Sequence, residues 1–63
     1  MSREGDRVTV FQDEVGEWRW NRKAENGEII ADSAEGYVDK GHAMQMAHEL
    51  NPGIDLHLAE EAP

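Results

Sequence analysis

Two groups of side chains in this 63-residue sequence have types and spacing that suggest chemistry. His42, Met44, Met46 and His48 bring together imidazole and thioether groups, a ligand set that suits copper. On a helix the set comes apart. With His42 at zero, Met46 falls at about 40°, Met44 at about 200° and His48 at about 240°, so the four cannot meet at one ion within a single chain. The pairs His42/Met46 and Met44/His48 offer two ligands each, a structural site takes about four, and Met46 is wanted in the core. No metal or other cofactor is therefore expected. The histidines, with His57 near the C-terminus, are read as solvated or placed at a subunit contact.

The second group is Arg19, Arg22 and Lys23 beside Trp18 and Trp20, in the stretch V-G-E-W-R-W-N-R-K-A-E-N-G. Interleaved cations and aromatics on a strand are the surface on which single-stranded bases stack. Two features oppose that reading. Glu17, Glu25 and Glu28 are close enough in sequence to pair with the cations, and the net charge of −8 sets the field of the whole molecule against a polyanion. Arg19, Arg22 and Lys23 remain the candidate ligand surface, together with Tyr37, which is read first as seating the helix from the structural Glu35-Gly36-Tyr37 turn and alternatively as an exposed ring that touches a partner. An enzyme would need a nucleophile or acid–base pair held in a cleft. The sequence offers scattered carboxylates, three histidines, a Ser33 next to Asp32, and no glycine-rich phosphate loop, so catalysis is not expected.

The elements that must carry these residues follow from periodicity. Val8 and Val10 alternate with Arg7 and Thr9 before Phe11, which predicts a first strand with one buried face. Asp13 to Gly16 turns the chain, with Gly16 able to take a positive φ. A second strand over about Glu17 to Ala24 puts Trp18, Trp20 and Ala24 on one face, with Arg22 near its rim, and Arg19, Asn21 and Lys23 on the other. Asn26-Gly27 is a strong hairpin signal, and Ile29 to Asp32 follows as a third antiparallel strand. Asp39 can accept amide hydrogen bonds at the start of a helix over Lys40 to Leu50, whose Ala43, Met46, Ala47 and Leu50 lie on one arc. Asn51-Pro52-Gly53 ends it. Ile54, Leu56 and Leu58 alternate with polar residues in a last strand. The expected fold is α+β in the order β-β-β-α-β: an antiparallel three-stranded meander, one helix packed on it, and a C-terminal strand. Residues 7–59 form the folded unit, and 1–6 and 60–63 are expected to fray.

The stretch Phe11 to Ala43 resembles the small YegP-like proteins, a family of uncharacterised function. The resemblance rests on the phenylalanine strand, on Gly16-Glu17-Trp18-Arg19-Trp20 with Lys23 and Ala24, on Asn26-Gly27-Glu28 before an apolar strand, and on Glu35-Gly36-Tyr37 before Lys40. It covers about half of the chain and weakens after Ala43, where family helices often carry an Asn-Gly pair followed by β-branched residues and this chain has Gln45-Met46-Ala47. Some members carry two tandem copies of the unit, which implies that a single copy pairs with itself. The resemblance brings no catalytic residue, cofactor or ligand.

Size and charge complete the expectation. A chain this short removes roughly 60% of its unfolded surface from water, and area set against chain entropy comes out near zero. Without cysteines there is neither a disulfide nor a cysteine-bound zinc to supply the margin. Self-association is left, and Trp18, Trp20, Ile54, Leu56 and Leu58 are the residues expected at a homodimer contact. Fourteen acidic residues against six basic ones, only Lys23 and Lys40 being lysines, suit a surface hydrated in concentrated salt. No apolar run is long enough for a membrane span, and no apolar segment follows the charged stretch Met1 to Arg7. The expectation is thus a cytoplasmic, homodimeric binding or scaffolding module, whose partner is itself or another protein. Single-stranded nucleic-acid binding is the alternative.

Overall fold

The computed structural model describes residues 5–59. The elements are β1 (Arg7–Gln12), β2 (Trp18–Lys23), β3 (Ile29–Asp32), α1 (Lys40–Leu50) and β4 (Leu56–Leu58), an α+β fold in the predicted order. Residues 1–4 and 60–63, expected to fray, lie outside the described residues. Asp6, placed with them at the sequence level, is instead held by Arg22 at 2.8 Å.

The sheet order is β3-β2-β1-β4. The first three strands form the antiparallel meander, with Val10 opposite Trp20 and Arg22 opposite Ala31. The last strand departs from a purely antiparallel sheet. β4 pairs in parallel with β1, Val8 against Leu56 and Val10 against Leu58, within the same subunit. The cause is the connection. β3 and β4 run in the same direction at opposite edges, and parallel strands of one sheet need a crossover, which α1 supplies.

Turn chemistry sets the hairpins. Gly16 and Gly27 take φ of 88° and 89°, which a side chain would strain. Asp13 Oδ1 accepts from the amides of Val15 and Glu17, and Asn26 Oδ1 accepts from the amide of Glu28. Asp39 caps α1 by accepting from the amide of Gly41.

The core is Val8, Val10, Trp20, Ala43, Ala47 and Ile54, with Trp18, Ala31, Tyr37, Met44 and Leu56 packed against it. Two alanines at helical spacing bring α1 close to the sheet. The predicted arc of Ala43, Met46, Ala47 and Leu50 is corrected in two places: Met44 is the methionine that packs against the core, and in the last turn Leu50 is 57% exposed while the inward place belongs to Asn51, 2% exposed. A buried carboxamide is tolerated because its bonds are made. Asn51 Nδ2 donates to the Ala47 carbonyl, and its Oδ1 accepts from Arg22. The helix lies over β2, β1 and β4, and leaves β3 uncovered.

Candidate functional site

With one helix on one face, the sheet presents an open face and two edges. Strand alternation sends Val8, Val10, Trp20 and Arg22 to the helix side, and Thr9, Phe11, Arg19, Asn21 and Lys23 to the open side. The register carries one polar row across all four strands of the open face: His57, Thr9, Asn21, Asp32.

The candidate ligand surface divides accordingly. Arg19 is on the open face, where its Nε donates to Asp13 Oδ2 at 2.6 Å and a second guanidinium nitrogen stands 4.0 Å from Glu17. The hydrogen bond from Arg19, helped by the Glu17 amide, holds the Asp13 carboxyl below its ordinary value of 3.8, and the same bond raises Arg19. Lys23 is on the open face opposite Arg7. Arg22 is on the helix side, donating to Asp6 and to Asn51. Tyr37 pairs through its backbone with Trp18, at 2.7 and 2.8 Å, and its ring sits 4.8 Å from that of His42. The grouping of Arg19, Arg22, Lys23 and Tyr37 as one surface is thus corrected: their sequence proximity puts them on opposite sides of a sheet.

The tryptophans lie on the helix side with Arg22, away from Arg19 and Lys23. Trp20 is 4% exposed in its own subunit's core, so it has almost no surface to offer a second copy. Ile54 is likewise buried, and Trp18 and Leu56 are half-buried against the core. Of the five residues assigned to the dimer contact, Leu58 keeps a large free surface, 41%. Lys40 Nζ lies 5.7 Å from the centre of the Trp18 ring, a cation–π arrangement that braces the helix start.

On α1, His42 and His48 are exposed and Met44 packs on the core. Among the described residues no three His, Cys, Asp or Glu side chains group around a point suited to a metal ion. The Ser33 hydroxyl accepts from the Trp20 amide at 3.1 Å and is buried, a structural use of that group.

What the sequence reading missed lies at β3. Its register slips against β2 between Arg22 and Lys23. This bulge puts Ile29 and Asp32 toward the open side and Ile30 and Ala31 toward the helix side. Ile29 and Ile30 are 53% and 48% exposed. Two hollows result. On the open side Phe11, Asn21, Ile29, Asp32 and Arg19 line about 190 Å³. On the helix side Ile30, Ala31, Arg22 and Asp6 line about 410 Å³. Asn21 is 6% exposed, and its Oδ1 is buried with no hydrogen-bond partner. The signal that could have found this region is local: two adjacent isoleucines between acids break the period-two rule, as a bulged edge strand does.

No helix among the described residues is long and apolar enough to cross a membrane. Comparison with curated proteins yields no match. The fold is similar to a solved structure, "NMR solution structure of the protein from Haloferax volcanii", at 37% identity over 90% of this chain and 95% of that one, with a TM-score of 0.63. The family described as Domain of unknown function (DUF1508) matches residues 13–48. More than half of the chain lies in that match, and it contains the second-strand, hairpin and Glu-Gly-Tyr motifs; the chain belongs to the DUF1508 family, the YegP-like proteins.

Proposed function

We propose that this chain acts as a homodimeric binding or scaffolding module of a salt-rich cytoplasm, with no catalysis of its own. The observation that carries this reading is the size of the core. Among the described residues six apolar side chains are buried, two of them alanines, while Val15, Ile29, Ile30, Val38, Leu50 and Leu58 stand exposed. Burial of that extent scarcely offsets the entropy of ordering the chain, and a second copy is the remaining source of stability. β4 is a three-residue edge strand with Leu58 exposed, so its outer side suits a two-fold contact. The acidic surface supports the habitat: at molar salt the Debye length is about 3 Å, and self-repulsion is screened.

The separation of Arg19 and Lys23 from both indoles, with Arg22 neutralised by Asp6, favours a protein partner over a single-stranded nucleic acid. Stacking requires aromatic faces beside the cations, and the open face carries Phe11 beside Arg19 and Lys23 while both indoles lie on the helix side, as the alternation predicts.

Sedimentation equilibrium at micromolar concentration in molar salt tests the dimer. Twice the monomer mass is expected, and a stable, folded monomer overturns the reading.

A further inference from the structure

We infer that the free edge of β3 is a docking site for an extended segment of another protein, one that alternates apolar and basic side chains and adds as a fifth strand to the sheet. This rests on the reading of the chain as a binding module and is independent of its self-association.

Three observations converge on this edge. Among the described residues β3 ends the sheet, and no other strand pairs with its outer side. The helix stops short of it, so Ile30 and Ala31 form an uncovered apolar floor. A hollow lies on each side of the strand, apolar on the helix side and mixed on the open side. An added strand sends successive side chains to opposite faces, one into each hollow, while its main chain bonds the edge.

The chemistry of each hollow selects its occupant. On the helix side Arg22 is already neutralised by Asp6, so the remaining lining of Ile30 and Ala31 favours an apolar side chain. On the open side Asn21 Oδ1 is a buried acceptor without a donor, and a group in that state carries a desolvation penalty that a ligand's N–H relieves. The Asp32 carboxylate, exposed beside it, makes no hydrogen bond or ion pair among the described residues, and Arg19, the cation that lines the same hollow, is already bonded to Asp13 at 2.6 Å. A buried amide oxygen with a carboxylate next to it and the Phe11 ring alongside suits the guanidinium or ammonium of an arginine or lysine.

A second copy of β3 does not meet these demands. Antiparallel self-pairing about Ile30 sets Glu28 opposite Asp32 of the other copy, and like charges directly opposite are destabilising. The strand Ile-Ile-Ala-Asp also brings no side-chain donor to Asn21. The acids at both ends of the isoleucine pair instead complement a basic partner.

The probe is a short capped peptide of alternating valine and arginine, added to the full chain at about 2 M salt so that general attraction to an acidic protein is screened. Backbone amide shifts and hydrogen exchange are followed by NMR. Saturable binding is expected, with perturbation and new protection centred on Ile29 to Asp32. Affinity should fall by about tenfold or more when the peptide's valines are N-methylated, when its arginines become glutamates, and in the Ile30→Lys and Asp32→Lys variants. Both substitutions are at exposed positions, and the peptide analogues test the idea on the native chain if either variant misfolds. Absence of saturable binding, equal binding of all peptides, perturbation centred away from β3, or displacement of the peptide by single-stranded oligothymidine overturns the inference. Concentration-dependent protection of the β3 amides without peptide would also overturn it, by showing that a second copy holds the edge, while leaving the homodimer standing. A folded monomer that binds the peptide at β3 would overturn the homodimer and keep the docking site.

Discussion

Arg19 Nε and Asp13 Oδ2 meet at 2.6 Å across the turn between β1 and β2, and the other oxygen of the same carboxylate takes the amides of Val15 and Glu17. One side chain thereby shapes the hairpin and orients a cation on the open face. Both depend on Asp13 being charged.

The hairpin should consequently weaken in acid. The Asp13 carboxyl is held below its ordinary 3.8, first by the Arg19 hydrogen bond and then by the Glu17 amide. A depressed folded-state value means that its contribution is fully present above the unfolded value and is lost as pH falls through the lowered one. Asp13→Asn keeps an acceptor but loses the charge, so it should melt at a lower temperature at neutral pH, with the gap to the native chain closing below about pH 4. Thermal melts across that range decide it, and a gap independent of pH would count against the assignment.

The two tryptophans should differ in weight. Trp20 is buried between sheet and helix, and replacing it with alanine should cost about 3 to 5 kcal/mol. Trp18 is half-buried and braced by Lys40 and the Tyr37 backbone, so its replacement should cost distinctly less. Denaturant titration of both variants gives the comparison; equal losses would mean that burial in one subunit is not what ranks them.

Salt should stabilise the fold. Fourteen acids against six cations repel one another in dilute buffer, and raising salt from about 0.1 M to the molar range shortens the screening length from about 10 Å to about 3 Å. A rising melting temperature across that series is expected. A flat or falling one removes the argument for a salt-rich habitat.

Leu58→Asp should break the dimer without touching the core of one subunit. The side chain is exposed on β4, so a carboxylate there leaves the core of one subunit intact while facing its symmetry mate. Mass by sedimentation and helix signal should fall together as the variant is diluted, at a concentration well above that at which the native chain dissociates, because one subunit alone scarcely offsets its chain entropy. An unchanged dimer would place the contact away from β4.

Much of the architecture was legible locally. The alternation of Val8 and Val10, Gly16 and Asn26-Gly27 at the turns, Asp39 before the helix and Asn51-Pro52-Gly53 after it mark four element boundaries, and α1 spans Lys40–Leu50 as its pattern predicts. These signals live in φ preferences, hydrogen bonds of short sequence range and side-chain period, all of which a chain carries before it folds. Period alone also stated that Arg19 and Lys23 share one face of β2 while Arg22 takes the tryptophan side.

What the alternation left undecided is what covers each face and which strand stands beside which. Those are contacts between residues far apart in sequence. That β4 runs parallel to β1, that Asn51 turns inward where Leu50 was expected, and that Trp20 fills its own subunit's core follow from where one crossover helix comes to rest on four strands. The bulge at β3 is of the same kind: adjacent Ile29 and Ile30 hint at it, but the helix-side hollow exists because the helix covers three strands and not the fourth, and the open-side hollow with the orphaned Asn21 oxygen lies on the face that the helix does not reach. Sequence periodicity fixes a side chain's face relative to its neighbours, and only long-range packing determines whether that face meets a helix, a partner or water.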